Sequence, residues 1–264
     1  MLNPKGAVAI ITGAAAGIGE CLAKHWARHG GKVVIADVAD ENLARVETEI
    51  RATGAQVIAT HCDVTREEDN HALAELAVAT YGAINLVVPC AAIINDGLFL
   101  TIDGNTGAVT AKMPLEQFTS VIDTNLTSVF LTVRECAEQM INLGCKGLIC
   151  LVSSTGALGT AGQINYSSTK AAIAVMPKVL TAEFFRRDVA HRIRCVAIAP
   201  GYVDTPMVKK IRPTVLARLV EQIPIKRLIE PDEVASLVME LYRNEALAGD
   251  LYFIHGGLRL GSKG

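Results

Sequence analysis

The stretch Ala7-Val8-Ala9-Ile10-Ile11-Thr12-Gly13-Ala14-Ala15-Ala16-Gly17-Ile18-Gly19 decides the fold. Its first six residues form an apolar, β-prone run, and the segment GIGECLAKHWARHG after the turn has the pattern of a helix. Strand, glycine turn and helix in this order form a dinucleotide-binding fingerprint. Glycines let the backbone turn tightly and approach a pyrophosphate, and the helix N-terminus offers free N–H groups and the positive end of its dipole. The spacing is GxxxGxG, not GxGxxG. A ligand-free glycine turn looks the same in isolation, so the flanks carry the reading.

Outward from this stretch, the chain alternates. Strand-like apolar runs stand near 7–12, 32–38, 56–63, 84–91, 147–153, 193–199 and 250–255, with helical patterns near 17–29, 40–53, 66–81, 114–143, 166–187 and 231–242. Val- and Ile-rich strands separated by helices predict an α/β fold: a Rossmann-type, doubly wound parallel sheet covered on both faces, in a single domain over 1–264. Half of the residues are apolar, 20% are charged and the formal net charge is −2, which gives no basic stripe for nucleic acid. No apolar run reaches the ~18–20 residues of a membrane span. The seven cysteines include no CxxC pair, and MLNPKG running into the first strand leads us to expect no signal peptide. Reduced thiols in a cytoplasmic protein are therefore expected. Cys21, His25 and His29 recur at helical spacing but lack a fourth ligand, so no metal is expected.

A second cluster lies downstream. Tyr166 and Lys170 share a helix face, close enough for the ammonium to stabilise a phenolate and lower the Tyr pKa. A Tyr so placed can exchange protons at neutral pH. Ser153 closes the apolar run GLICLVSS, at the C-terminal end of an expected buried strand. YxxxK by itself also suits an amphipathic helix with a solvated Lys. Pro177, inside the same helix, favours a kink more than one turn past Lys170.

With both clusters in view, the chain resembles the short-chain dehydrogenase/reductase family, in its 3-oxoacyl-carrier-protein-reductase-like branch. The matching pieces are TGAAAGIG, Asp37 after the second strand, HCDVT with Asp63, DTNLTSVF with Asn125, VSSTG with Ser153, YSSTK, IAPGYVDTPM and FIHGG. The resemblance implies about seven strands in the order 3-2-1-4-5-6-7, with ligands at their C-terminal ends. It implies hydride transfer between a nicotinamide and a carbonyl or secondary alcohol. Tyr166 would be the general acid/base. Lys170 would lower its pKa and hold the nicotinamide ribose, Ser153 would bind the substrate oxygen, and Asn125 would hold a water that relays protons to Lys170. Gly13, Gly17, Ile18 and Gly19 would surround the pyrophosphate, and Asp63 and Val64 would lie near the adenine. Cys90 and Ala91 would lie along the cofactor, with Pro200, Val203 and Thr205 facing the nicotinamide. Ser154 competes for the serine role, but the thirteen-residue step to Tyr166 and Gly156 at +3 favour Ser153. A homotetramer or dimer is implied, with the helices at 114–143 and 166–187 pairing across subunits.

Cofactor choice rests on charge. Asp37 stands about 20 residues past the glycine loop, where a carboxylate binds both ribose hydroxyls and repels a 2′-phosphate. Val38, Ala39 and Asp40 supply no cation, so NAD is expected over NADP. Two departures from the family pattern stand out. Pro89-Cys90-Ala91-Ala92 replaces the usual Asn-Asn-Ala-Gly, which bears on cofactor affinity. The chain is also longer than usual between Ala92 and Asn125, where LFLTIDGNTGAVTAKM predicts a hairpin near 98–113. Segment 205–227 should form a flap that mixes Met207, Val208 and Ile211 with Lys209, Lys210 and Arg212, suiting an apolar or acyl chain with an anionic end. Substrate candidates are a 3-oxoacyl group and a secondary alcohol or polyol. The alternative is a non-catalytic NAD-binding regulator or scaffold on the same fold.

Overall fold

The computed structural model describes residues 1–258. Its strands are β1 (Val8–Thr12), β2 (Lys32–Asp37), β3 (Val57–His61), β4 (Leu86–Pro89), β5 (Leu100–Ile102), β6 (Val109–Lys112), β7 (Gly147–Val152), β8 (Ile193–Pro200) and β9 (Leu251–Ile254). Seven of them form one parallel sheet in the order β3-β2-β1-β4-β7-β8-β9. With β5 and β6 set aside as a separate pair, this is the order 3-2-1-4-5-6-7. Strand order reverses beside β1, so the C-terminal ends of β1 and β4 open a crevice there.

Helices cover both faces, as the strands' burial requires. On one side α1 (Gly17–Arg28), α2 (Asp40–Arg51) and α9 (Pro231–Arg243) enclose a core in which Trp26 meets Tyr242 edge-on, with ring centroids 4.7 Å apart. On the other, α3 (Glu67–Tyr81), α5 (Ser128–Asn142) and α6 (Ile164–Arg186) pack Cys136, Met140 and Ile173 against the sheet. A buried Arg194 ties β8 to α9. Its guanidinium donates to the carbonyls of Leu241 (2.9 Å), Tyr242 (2.8 Å), Asn244 (3.1 Å) and Leu247 (2.6 Å), satisfying the end of the helix with a cation at its negative pole.

Three details differ from the sequence reading. The helix expected over 114–143 is divided: α4 (Leu115–Ile122) passes through a π-helical turn at Asp123–Thr127 into α5. Helix α6 runs unbroken through the buried Pro177. The flap is partly helical, with α7 (Pro206–Lys209) and α8 (Pro213–Gln222), and neither contains a buried residue.

The inserted segment forms an antiparallel hairpin of β5 with β6. Asp103 organises its tip by accepting from the amides of Asn105 (3.0 Å) and Thr106 (2.8 Å), as short polar side chains do in turns. Its root is fixed where the Gly97 amide donates to the Gly162 carbonyl at 2.9 Å.

Candidate active site

Glycine packing builds the nucleotide end of the crevice. Gly13 has φ +64°, and a Cβ there would lie 2.6 Å from Cα of Ala91, so β1 and β4 can close only around a glycine. A Cβ on Gly19 would collide with the Gly13 carbonyl oxygen. Ala16, the N-cap of α1, provides no side-chain cap, which leaves the first-turn amides of the helix available to an anion. Asp37 closes this end: its carboxylate accepts from the Ala15 amide (3.1 Å) and the Ala39 amide (3.0 Å), which fixes it against the glycine turn. Beyond it, Asp63 accepts from the Thr65 hydroxyl at 2.7 Å and amide at 3.0 Å, bonds that hold its carboxyl below the ordinary value.

The cleft has a volume of about 1040 Å³. Its walls include Gly13, Gly17, Ile18, Gly19, Asp37, Asp63, Val64, Cys90, Ala91, Ser153, Tyr166, Lys170, Pro200, Val203 and Thr205. Thr205 faces the glycine turn, since a Cβ on Gly17 would stand 3.2 Å from its Cγ2. The Pro89–Ala92 segment is anchored in place of the usual Asn pair: the Ala91 amide donates to Thr12 Oγ1 at 3.4 Å, and Asn125 holds Ile93 just beyond. Burial pushes the Cys90 thiol up to about 11, so it stays protonated and unreactive.

Asn125 alone of the expected residues stands behind the wall. Fully buried in the π-helical turn, it accepts from the Ile93 amide at 2.8 Å and donates to the Ile93 carbonyl at 2.9 Å. Its side-chain amide is spent on this clamp.

The two adjacent serines of the cleft wall make different contacts. Ser153 contributes to the cleft wall, but its hydroxyl donates to the Lys170 carbonyl at 2.7 Å and is almost fully buried. Successive side chains at a strand end point to opposite sides, so the next residue, Ser154, faces the cleft. The Ser154 hydroxyl engages the Tyr166 phenol. Between them lies Gly156, where a Cβ would stand 3.3 Å from Ser154 Oγ and 3.2 Å from Tyr166 Cε1. The Gly156 amide donates to Ser154 Oγ at 3.0 Å, which leaves the hydroxyl proton free for another acceptor.

The direction of the Tyr166 pKa differs from the sequence expectation. Burial pushes the phenol above its ordinary value, the Ser154 hydrogen bond opposes that, and the charge of Asp96 adds to it. The Lys170 ammonium, 5.6 Å from the ring centroid, is turned to the Val152 carbonyl at 2.9 Å. Burial brings Lys170 itself down to about 8, within range of neutral-pH proton exchange. The pair is thus poised through the Lys being lowered, where the sequence reading expected a lowered Tyr.

This arrangement has relatives. The model of a family described as short chain dehydrogenase matches residues 7–216. The chain belongs to that family. Members similar to it over nearly their whole length include the 2,5-dichloro-2,5-cyclohexadiene-1,4-diol dehydrogenase of Sphingobium indicum, 33% identical over 97% of both chains. Another is the 3-oxoacyl-[acyl-carrier-protein] reductase of Thermotoga maritima, 30% identical over 96% of this chain and 98% of the other. Among solved structures, a 7α-hydroxysteroid dehydrogenase complexed with NADH and 7-oxo glycochenodeoxycholic acid superposes with a TM-score of 0.87, at 28% identity and 98% coverage of each chain. As a short-chain dehydrogenase the protein is an oxidoreductase. Among its described residues no helix is long and apolar enough to cross a membrane, and no cluster of His, Cys, Asp or Glu could hold a metal ion.

Proposed function

We propose that this dehydrogenase interconverts a secondary alcohol and a ketone with NAD(H) as cofactor. The observation that carries the reading is the packing of Ser154 Oγ and the Tyr166 ring on Gly156, in the same cleft as Lys170 and an α1 N-terminus without a side-chain cap. The nicotinamide supplies the hydride chemistry. Ser154, oriented by the Gly156 amide, donates to the substrate oxygen and stabilises the charge that develops there. Tyr166 gives its phenolic proton to that oxygen in reduction and takes it back in oxidation. Lys170, brought down to about 8 by burial, supplies that proton to the phenol in reduction and removes it in oxidation. Asn125 is a positioning residue that keeps Ile93 and the β4 end in place. Gly13, Gly17, Ile18 and Gly19 receive the pyrophosphate, Asp63 and Val64 flank the adenine, and Pro200, Val203 and Thr205 close on the nicotinamide.

Asp37 supports NAD over NADP, because its fixed carboxylate would face a 2′-phosphate with like charge. The relatives named above act on ring alcohols and acyl chains, and both classes suit a cleft end lined by Ile94, Met207, Val208 and Ile211. Exposed Phe130 on α5, with Val175 and Val179 on α6, supports pairing of these helices between subunits, which light scattering would measure. The function is tested by supplying the purified protein with NADH or NADPH and with cyclohexanone or acetoacetyl-CoA. Turnover should occur with NADH and fall by about 10³-fold in Tyr166→Phe while NADH binding persists. Full turnover by that variant would refute the role of the phenol, and binding of NADH without turnover of any carbonyl or alcohol would favour a regulator.

A further inference from the structure

One carboxylate in the cleft has no part in the hydride chemistry. Asp96 sits at the root of the inserted hairpin and lines the cleft beside Gln163, Tyr166 and Tyr202. Its backbone is fixed on both sides. The Asp96 carbonyl accepts from Gln117 Nε2 at 2.9 Å, and Gly97 forms a parallel bridge with Gln163. Its side chain is fixed at one oxygen, where Oδ2 accepts from Gln163 Nε2 at 2.7 Å. Among the described residues no donor reaches Oδ1. The carboxylate is close enough to both phenols to act on them: after burial, its charge adds to the upward push on Tyr202, as it does on Tyr166.

A carboxylate held at one oxygen and open at the other is an acceptor prepared for a donor on the ligand. That donor must be close to the reacting carbon, because Tyr166 marks that carbon and Asp96 lines the same cleft, held by Gln163 one helical turn before Tyr166. The surrounding wall is apolar at Ile94, Met207 and Val208 and cationic at Lys210, which favours a neutral donor over an ammonium. The neutral donor that belongs on an alcohol substrate is another hydroxyl.

We infer that Asp96, positioned by Gln163, binds a second hydroxyl of the substrate, so that diols and hydroxyketones are preferred to simple secondary alcohols. The inference rests on the alcohol–ketone reading of this cleft. The second hydroxyl is bound but not consumed: the carbinol carbon loses a hydride to the nicotinamide, its oxygen loses a proton to Tyr166, and the neighbouring O–H bond stays intact. Asp96 is exposed, so a substrate without that hydroxyl leaves the oxygen to water and forgoes one hydrogen bond to a charged group, a difference of about 10-fold or more.

The test compares kcat/KM with NAD for cyclohexanol and for cis-cyclohexane-1,2-, 1,3- and 1,4-diol. It uses the wild type, Asp96→Ala and Asp96→Asn, with folding checked by thermal melting and NADH fluorescence titration. The quantity read is the ratio of diol to cyclohexanol within each protein. At least one diol should exceed cyclohexanol by about 10-fold or more in the wild type, and that ratio should fall by about 10-fold or more in Asp96→Ala. Asp96→Asn, which keeps an acceptor, should retain part of it. A wild-type ratio near one, a ratio unchanged in Asp96→Ala, or a preference for 2-aminocyclohexanol over every diol would overturn the inference and leave the oxidoreductase standing. Turnover of none of these alcohols, nor of cyclohexanone with NADH, by a protein that binds NADH would instead overturn the parent reading and this one with it.

Discussion

Replacing the two adjacent serines separately should have opposite consequences. Ser154 Oγ accepts from the Gly156 amide and directs its own proton toward the Tyr166 phenol, so Ser154→Ala removes a donor that can turn to the developing oxyanion. Loss of one such donor costs about 2.7–4 kcal/mol in the transition state, or ~10²–10³-fold in kcat. The fold should tolerate the change, because the Oγ of Ser154 serves only the Gly156 amide and the Tyr166 phenol among the described residues. Ser153 Oγ, 2% exposed as a residue, donates to the Lys170 carbonyl, so Ser153→Ala removes one buried hydrogen bond. That loss is worth about 1 kcal/mol, or a Tm lower by ~2–4 °C in a chain of this size, with kcat changed by less than about 5-fold. The assay is steady-state NADH oxidation with the best ketone, paired with thermal melting of each variant. A Ser153→Ala enzyme reduced ~100-fold in kcat at unchanged Tm, beside an active Ser154→Ala enzyme, would refute the reasoning and restore Ser153 to the role expected from its spacing.

Other features carry their own expected outcomes. Asp37→Ser should bring NADPH closer to NADH, lowering the ratio of their KM values by about 10-fold or more as measured with both cofactors on one substrate. Because Lys170 titrates near 8, kcat/KM for oxidation should rise with pH through that region and kcat/KM for reduction should fall through it; flat profiles from pH 6 to 10 would contradict a proton path through Lys170. The same lowered value makes a stability statement. Between about 8 and the ordinary 10.5, the unfolded chain binds more protons than the native one, so stability rises with pH across that window and Lys170→Met should flatten the rise in chemical denaturation. Arg194→Leu should lower stability by ~2–4 kcal/mol, read from urea unfolding, because it strands four carbonyls at the end of α9.

The strands were legible because Val- and Ile-rich runs stand between helical patterns, their order came only with the family resemblance, and the glycine turn is dictated by backbone crowding that only glycine relieves. Which of the two adjacent serines meets the substrate was not legible, for a definable reason. All six residues of β7 are buried, so no alternation of polar and apolar residues tells which side of the sheet Ser153 faces. The π-helical turn was hidden because its extra residue leaves the apolar pattern over 114–143 continuous. The pKa of Tyr166 turned on burial and on Asp96, which lies far from it in the sequence and is brought near by the pairing of Gly97 with Gln163. Arg194 gave no signal, since its partners are backbone carbonyls and no acidic residue marks them.

The crowding at Gly13 and Gly19 also divides the cleft into halves of unequal stiffness. At the nucleotide end, backbone rests against backbone, and the turn cannot loosen without separating β1 from β4. At the substrate end, α7 and α8 bury none of their residues and can rearrange at little cost in packing. A cofactor therefore meets a preformed mould, whereas a substrate must order the wall that receives it. The expected kinetic expression of that asymmetry is binding in sequence, cofactor first, with the bound cofactor as the floor on which the looser half would settle.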